Sequence, residues 1–169
     1  MARSFDVSTV NRASVEEVRS ALGSEQYWLD RLEAYGGNGA ITLDSLVVNT
    51  DGGIALATTQ DLRRGVLPAP FSNALPSRLT LLRAETWRPL GDGRVSGEVL
   101  ISASGLAGSA LGTADLAPAP QGSSLRFAGS VTVGIPLVGG QIEKFIAALI
   151  VKEIPGVGRF TSDWIATHA

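Results

Sequence analysis

Residues able to do chemistry are few. The chain has one histidine, His168, next to the last residue, and no cysteine. A frayed terminus does not hold a general base in place. Without thiols there is no thiolate nucleophile, no disulfide and no thiolate–metal site. Asp and Glu are scattered, without the Asp-x-Asp-x-Asp loop of a calcium site. Gly36-Gly37-Asn38-Gly39 and Gly156-Val157-Gly158 lack the strand–turn–helix setting of a phosphate- or dinucleotide-binding loop, and both read as turns and helix boundaries. The sequence therefore offers no catalytic residue set, no metal site and no cofactor motif.

Charge inside a strand is more informative. In Leu79-Thr-Leu-Leu-Arg-Ala-Glu-Thr-Trp-Arg88, Arg83 and Glu85 share the parity of Leu79, Leu81 and Trp87. The other parity holds Thr80, Leu82, Ala84, Thr86 and Arg88. Alternate residues face opposite sides, so an inward Leu81 and Trp87 bring both charges inside, where they must pair or meet a ligand. Charged side chains are seldom fully buried, so the expectation is a bulge that switches parity and leaves both in water. Glu98 and Arg126 alternate with Val99 and Phe127 and are expected to face solvent.

Composition narrows the partner. Against 14 Lys+Arg stand 16 Asp+Glu, a net charge of −2. No basic surplus exists to hold nucleic acid or an anionic bilayer. A chain of 169 residues that is 44% hydrophobic and 18% charged is globular in type. At about 150 residues per domain its length predicts one domain, residues 1–169. Residues 1–10 carry Arg3 and Asp6 and alternate in polarity, unlike a secretion signal, so the default location is cytoplasmic. Phe145–Val151 is apolar all round, but it is short, and Gln141, Glu143 and Lys144 interrupt its approach. It reads as a helix buried on more than one side, with no stable membrane insertion.

The elements that would position these residues are punctuated clearly. Phe5, Val7 and Thr9 alternate with Ser4, Asp6 and Ser8 as in a half-buried strand. Ser14-Val-Glu-Glu17 reads as a capping box opening a short helix that ends at Gly23. Ser24 caps a second helix through Tyr35. Six strands follow at 41–49, 54–62, 79–90, 95–102, 107–116 and 124–133. Asp51-Gly52-Gly53 and Gly91-Asp92-Gly93 supply tight hairpins, and short connections require antiparallel pairing. Residues 63–78, with Pro68, Pro70 and Pro76, form a long loop, read equally as a surface insertion or as a lid near Trp28. Gln141 to about Ile165 has helical spacing, with a kink or break expected at Pro155.

This order resembles the helix-grip fold of the START/Bet v 1-like (SRPBCC) superfamily. Phe5 followed by Ser14-Val-Glu-Glu-Val18 is similar to its opening strand and helix. Gly134-Ile-Pro-Leu-Val-Gly-Gly-Gln-Ile-Glu-Lys144 and Phe160-Thr-Ser-Asp-Trp-Ile165 resemble an actinobacterial branch, the DUF2505-type family. The resemblance implies an α+β fold, a seven-stranded antiparallel sheet wrapped around a long C-terminal helix with two short helices after strand 1. It also implies a hydrophobic cavity for lipids, sterols, polyketides or other apolar molecules. The branch brings no transferable catalytic residues.

The expected activity is binding, carrying or sensing, of a hydrophobic small molecule or lipid between sheet and C-terminal helix. Candidate lining residues are Trp28, Leu32, Leu56, Phe71, Leu81, Arg83, Trp87, Val99, Phe127, Ile142, Phe145 and Leu149. Alternatives are a cyclase or dehydratase using Arg83, Glu85 or a tyrosine on an apolar polyketide-like substrate, and a protein-interaction module. Ligand identity and oligomeric state are not encoded in these patterns.

Overall fold

The computed structural model describes residues 2–36, 40–63, 71, 73–76 and 78–169. Strand β1 (Ala2–Asn11) leads into helices α1 (Val15–Leu22) and α2 (Glu25–Gly36). Strands β2 (Ile41–Val48), β3 (Ile54–Arg63), β4 (Arg78–Pro89), β5 (Val95–Ser104), β6 (Gly108–Ala119) and β7 (Gly122–Val133) follow, and helix α3 (Gly139–His168) closes the chain. The strands form one seven-stranded sheet in the order β1-β7-β6-β5-β4-β3-β2, and every pairing is antiparallel. This is the α+β helix-grip architecture expected from the sequence.

Local chemistry sets the element ends. Ser14 Oγ accepts from the Glu17 N–H at 3.1 Å, and Glu17 Oε1 accepts from the Ser14 N–H at 3.0 Å, completing the capping box. The Ser24 hydroxyl accepts from the Tyr27 N–H at the start of α2. Gly52 and Gly93 turn their hairpins at φ 86° and 85°, angles that side chains bearing a Cβ adopt rarely. The one register shift among the pairings falls on β2, between Leu43 and Ser45, and not on β4.

Three tertiary outcomes differ from the sequence expectation. Of the kink or break expected at Pro155, the break does not occur: helix α3 continues for 30 residues through it, about 45 Å at 1.5 Å per residue. The missing hydrogen bond at proline, about 3 kcal/mol in a helix interior, is offset because α3 is packed on both sides of that turn. Ile142 and Ala147 are buried before it and Gly158, Thr161 and Ser162 after it. Gly156 and Gly158 are therefore interior positions and not a boundary. A Cβ on Gly158 would lie 3.5 Å from Thr9 Cγ2, an ordinary contact that places this turn of the helix against β1. His168, in turn, is not frayed: it belongs to α3 and stacks on Trp164 with ring centroids 4.1 Å apart.

The core sits between the concave face of the sheet and the helices. Phe5, Val7, Ile54, Leu56, Trp87, Val95, Val99, Ala114, Leu116, Phe127 and Val131 meet Val18, Ala21, Leu22, Tyr27, Trp28 and Ala147 there. Two glycines make room for rings. A Cβ on Gly97 would fall 2.6 Å from the Trp87 ring, and one on Gly112 2.5 Å from Phe127. Buried polar pairs tie α3 down: Tyr27 Oη to Thr161 Oγ1 at 2.7 Å, and Ser162 Oγ to Asn11 Oδ1.

Candidate functional site

Antiparallel register arranges the concave face into cross-strand rows. The rows Ile54–Trp87–Gly97–Ala114 and Leu56–Glu85–Val99–Gly112 are buried throughout. The next rows are Thr58–Arg83–Ile101–Ala110 and Gln60–Leu81–Ala103. Thr58 is buried, but Arg83, Ile101, Ala110, Gln60, Leu81 and Ala103 are only half-buried. The strip they form lies on the inner side of the sheet, beside the end of β3 and the start of β4.

Helix α3 explains the step in burial. Seven strands about 4.8 Å apart make a sheet nearly 30 Å wide, whereas a helix with its side chains is about 10 Å across. The packing of α3 is concentrated on β1 and β7, and that of α2 on β2. The middle strands between them rely on side chains long enough to fill the gap. Trp87 does so with Trp28; Ala103 and Ala110 do not.

Arg83 and Glu85 point inward, contrary to the expected solvated pair. No bulge interrupts β4, and Glu85 is 2% exposed. Burial is tolerated because both carboxylate oxygens are satisfied: Arg83 Nε donates to Oε2 at 2.7 Å and Trp87 Nε1 to Oε1 at 3.1 Å. Arg83 is 35% exposed. Glu98 and Arg126 face solvent as expected, Arg126 paired with Asp6 at 2.6 Å.

A second guanidinium reaches this region from α2. Arg31 lies 4.7 Å over the Trp28 ring and its Nη1 is 3.4 Å from Tyr27 Oη. Burial works against its charge, yet the neighbouring Tyr27 oxygen and the Glu85 carboxylate hold its pKa above the ordinary arginine value. Arg31 and Thr161 are not singled out by the sequence, whereas Tyr27 stands beside Trp28 on the second helix. The signal for Arg31 was its i, i+3 and i, i+4 spacing from Trp28 and Tyr27, which places all three on one side of α2.

The expected lining residues divide into three groups. Trp28, Leu56, Trp87, Val99, Phe127 and Ile142 are buried, and the Trp28 Nε1–H donates to the Leu22 carbonyl at 2.7 Å. Leu32, Phe71, Leu81, Arg83 and Phe145 are half-buried, and the rings of Phe71 and Phe145 lie 5.8 Å apart. Leu149 is 38% exposed, although it lies two turns on from buried Ile142 and on nearly the same side of α3. Most of the 63–78 loop lies outside the described residues, so only the Phe71 contact with α3 bears on the expected lid.

Two surface clefts are also present. One of about 360 Å³ lies between Gly23, Glu25 and the Leu43–Leu46 segment. The other, of about 410 Å³, is formed by Val133–Leu137, Gly139, Gly140 and Glu143. Neither is the pocket expected at Phe145 and Leu149. In the second, the buried Glu143, read from sequence only as a polar interruption, accepts from the Val133 N–H at 2.8 Å and fixes the turn into α3. Among the described residues no group of His, Cys, Asp and Glu is placed to hold a metal ion.

Solved structures place the architecture in the START/Bet v 1-like class. The chain aligns over 99% of its length with 99% of Ara h 8.0201, at a TM-score of 0.54 and 12% identity. It aligns equally fully with TTHA0849 of Thermus thermophilus, at a TM-score of 0.58 and 13% identity. Dicamba monooxygenase bound to 3,6-dichlorosalicylic acid matches at a TM-score of 0.54 and 17% identity, over 94% of this chain and 50% of that one.

Within that class, residues 6–165 match the family described as Protein of unknown function (DUF2505), and the chain belongs to it. Uncharacterized proteins of Mycobacterium tuberculosis and Mycobacterium bovis are 33% identical over 174 aligned positions, covering 99% of both chains.

Proposed function

We propose that residues 1–169 form one START/Bet v 1-like domain that binds a hydrophobic small molecule or lipid between the sheet and α3, acting in the cytoplasm. The observation that carries this reading is the step in burial across β3, β4 and β5. Rows built on Trp87 and Val99 are closed, whereas Gln60, Leu81, Arg83, Ile101, Ala103 and Ala110 are half-buried on a concave inner face. Apolar surface left there is covered favourably by an apolar guest, at about 25 cal/mol per Å² removed from water. A similar fold described with a small organic acid bound, that of dicamba monooxygenase, supports the same reading. No helix of the described residues is long and apolar enough to cross a membrane, which accords with a carrier or sensor working off the bilayer.

A cyclase or dehydratase reading would draw on Arg83 and Glu85. Both oxygens of Glu85 already accept hydrogen bonds, which suits an anchor for Arg83 better than a proton-transfer group. An interaction-module reading would draw on the opposite, convex face, where Leu100 pairs with Leu111 and both are about half exposed.

The test is organic extraction of the purified protein followed by mass spectrometry, with Ala103→Trp as the blocked variant. The expected result is an apolar molecule released from the wild type and absent from the variant. Failure to extract any molecule, together with no calorimetric binding of either 1-decanol or sodium decanoate, overturns the reading.

A further inference from the structure

We infer that the ligand is an amphipathic acid, held by its carboxylate against the Arg83 guanidinium, with its apolar part along Leu81, Ile101 and Ala103. The inference rests on the binding reading above and adds the chemistry of the ligand's head. Its basis is a charge imbalance on the inner face. Glu85 is ion-paired with Arg83 on β4, and the Arg31 guanidinium on α2 feels its charge without contacting it. Its Oε2 takes the Arg83 Nε–H and its Oε1 takes the Trp87 Nε1–H. Arg31 contributes a second positive charge, over Trp28 and beside Tyr27. One negative charge thus faces two positive ones.

On the inner positions of the neighbouring strands, among the described residues, no other acid redresses this balance. Outside the described residues the sequence has no Asp or Glu. Inner positions of the neighbouring strands are Thr58, Gln60, Val99, Ile101 and Ala103, all uncharged. Among the described residues the Arg83 Nη1 and Nη2 groups donate to nothing, and the side chain is 35% exposed on the half-open strip. Both nitrogens point from a guanidinium whose plane is already fixed by Glu85. That is the arrangement a carboxylate meets with two parallel hydrogen bonds. The immediate neighbours of Arg83 on the adjoining strands are Thr58 and Ile101. A hydroxyl and an aliphatic side chain therefore flank the charge, and a ligand anchored there must be apolar beyond its head.

The test compares two probes of equal chain length, sodium decanoate and 1-decanol, titrated calorimetrically into the full chain at pH 7.5. For the wild type, decanoate is expected to bind about tenfold more tightly than the alcohol, the scale of one charge-assisted hydrogen-bonded contact. Arg83→Met removes that preference. Because this variant strands Glu85 without its partner, Arg83→Met/Glu85→Gln is the control for folding, and it too loses the preference. Glu85→Gln alone keeps an acceptor for Trp87, removes the competing negative charge and increases the preference. Equal affinities in the wild type, or a preference that survives in the double variant, overturn the inference while leaving the binding reading intact. If neither probe binds, the binding reading fails and the inference falls with it.

Discussion

The concave face is divided between a filled end and a half-open end, although the same three strands build both. At the filled end Trp87 occupies the space over Gly97 and meets Ile54, Val95 and Leu116, beneath α1 and α2. Four to six residues along the same strands, Leu81, Ile101 and Ala103 are half-buried. Backbone pairing is equally regular at both ends. The difference lies in side-chain size and in what the helices reach. On the proposed reading, stability and binding are separated along the strands of this sheet, so that substitutions at one end need not disturb the other.

The largest effect is expected at the filled end. Trp87→Ala removes the ring and one hydrogen bond to buried Glu85, and should cost about 4 kcal/mol in urea unfolding. A loss under about 1 kcal/mol would mean that this end is not the stabilising one. Next, Leu116→Ala should cost about 3 kcal/mol and Ile101→Ala about 1 kcal/mol, since the second side chain is already half in water. Equal costs in parallel denaturation curves would erase the proposed division. Gly97→Val, which drives a side chain into Trp87, should cost about 2 kcal/mol. Ala103→Trp at the open end should change stability by less than about 1 kcal/mol while blocking probe binding.

Smaller effects fall outside both ends. Ser14→Ala breaks the capping box and should cost about 1 kcal/mol, read as a shift in unfolding midpoint at unchanged slope. Asp30 sits between α2 and α3, and the Trp164 Nε1–H, then Gln26, hold its carboxyl below its ordinary value of 3.8. A depressed folded pKa stabilises fully above the unfolded value and is lost as pH falls through the folded one. Asp30→Asn should therefore lower the unfolding temperature slightly at pH 7 and flatten its decline below pH 4. An unchanged acid profile would show that the Trp164 contact adds nothing.

Much of the architecture follows from local chemistry. Ser14 and Glu17 find each other within one turn, and Gly52 and Gly93 adopt the backbone angles their hairpins need. Strand alternation placed Phe5, Val7, Val99 and Phe127 on the inner face, because a period of two leaves no other choice once one face is buried. The candidate site was only partly legible. Arg83 and Leu81 were identifiable from their shared parity, but Arg31 arrives from another element, and its meeting with Glu85 is a matter of tertiary approach.

By itself, then, the sequence determined the order of elements, the antiparallel pairing and the apolar face of strands such as β1 and β7, since each depends on neighbours a few residues away. Tertiary structure decided the rest. It decided which face of β4 is buried, and so turned Arg83 and Glu85 inward, where Trp87, two residues along the same strand, donates its N–H to Glu85. It carried α3 through Pro155 because packing on β1 and β7 outweighs one missing hydrogen bond. It left Ala103 half-open, because a helix about 10 Å wide cannot cover a sheet nearly three times as broad.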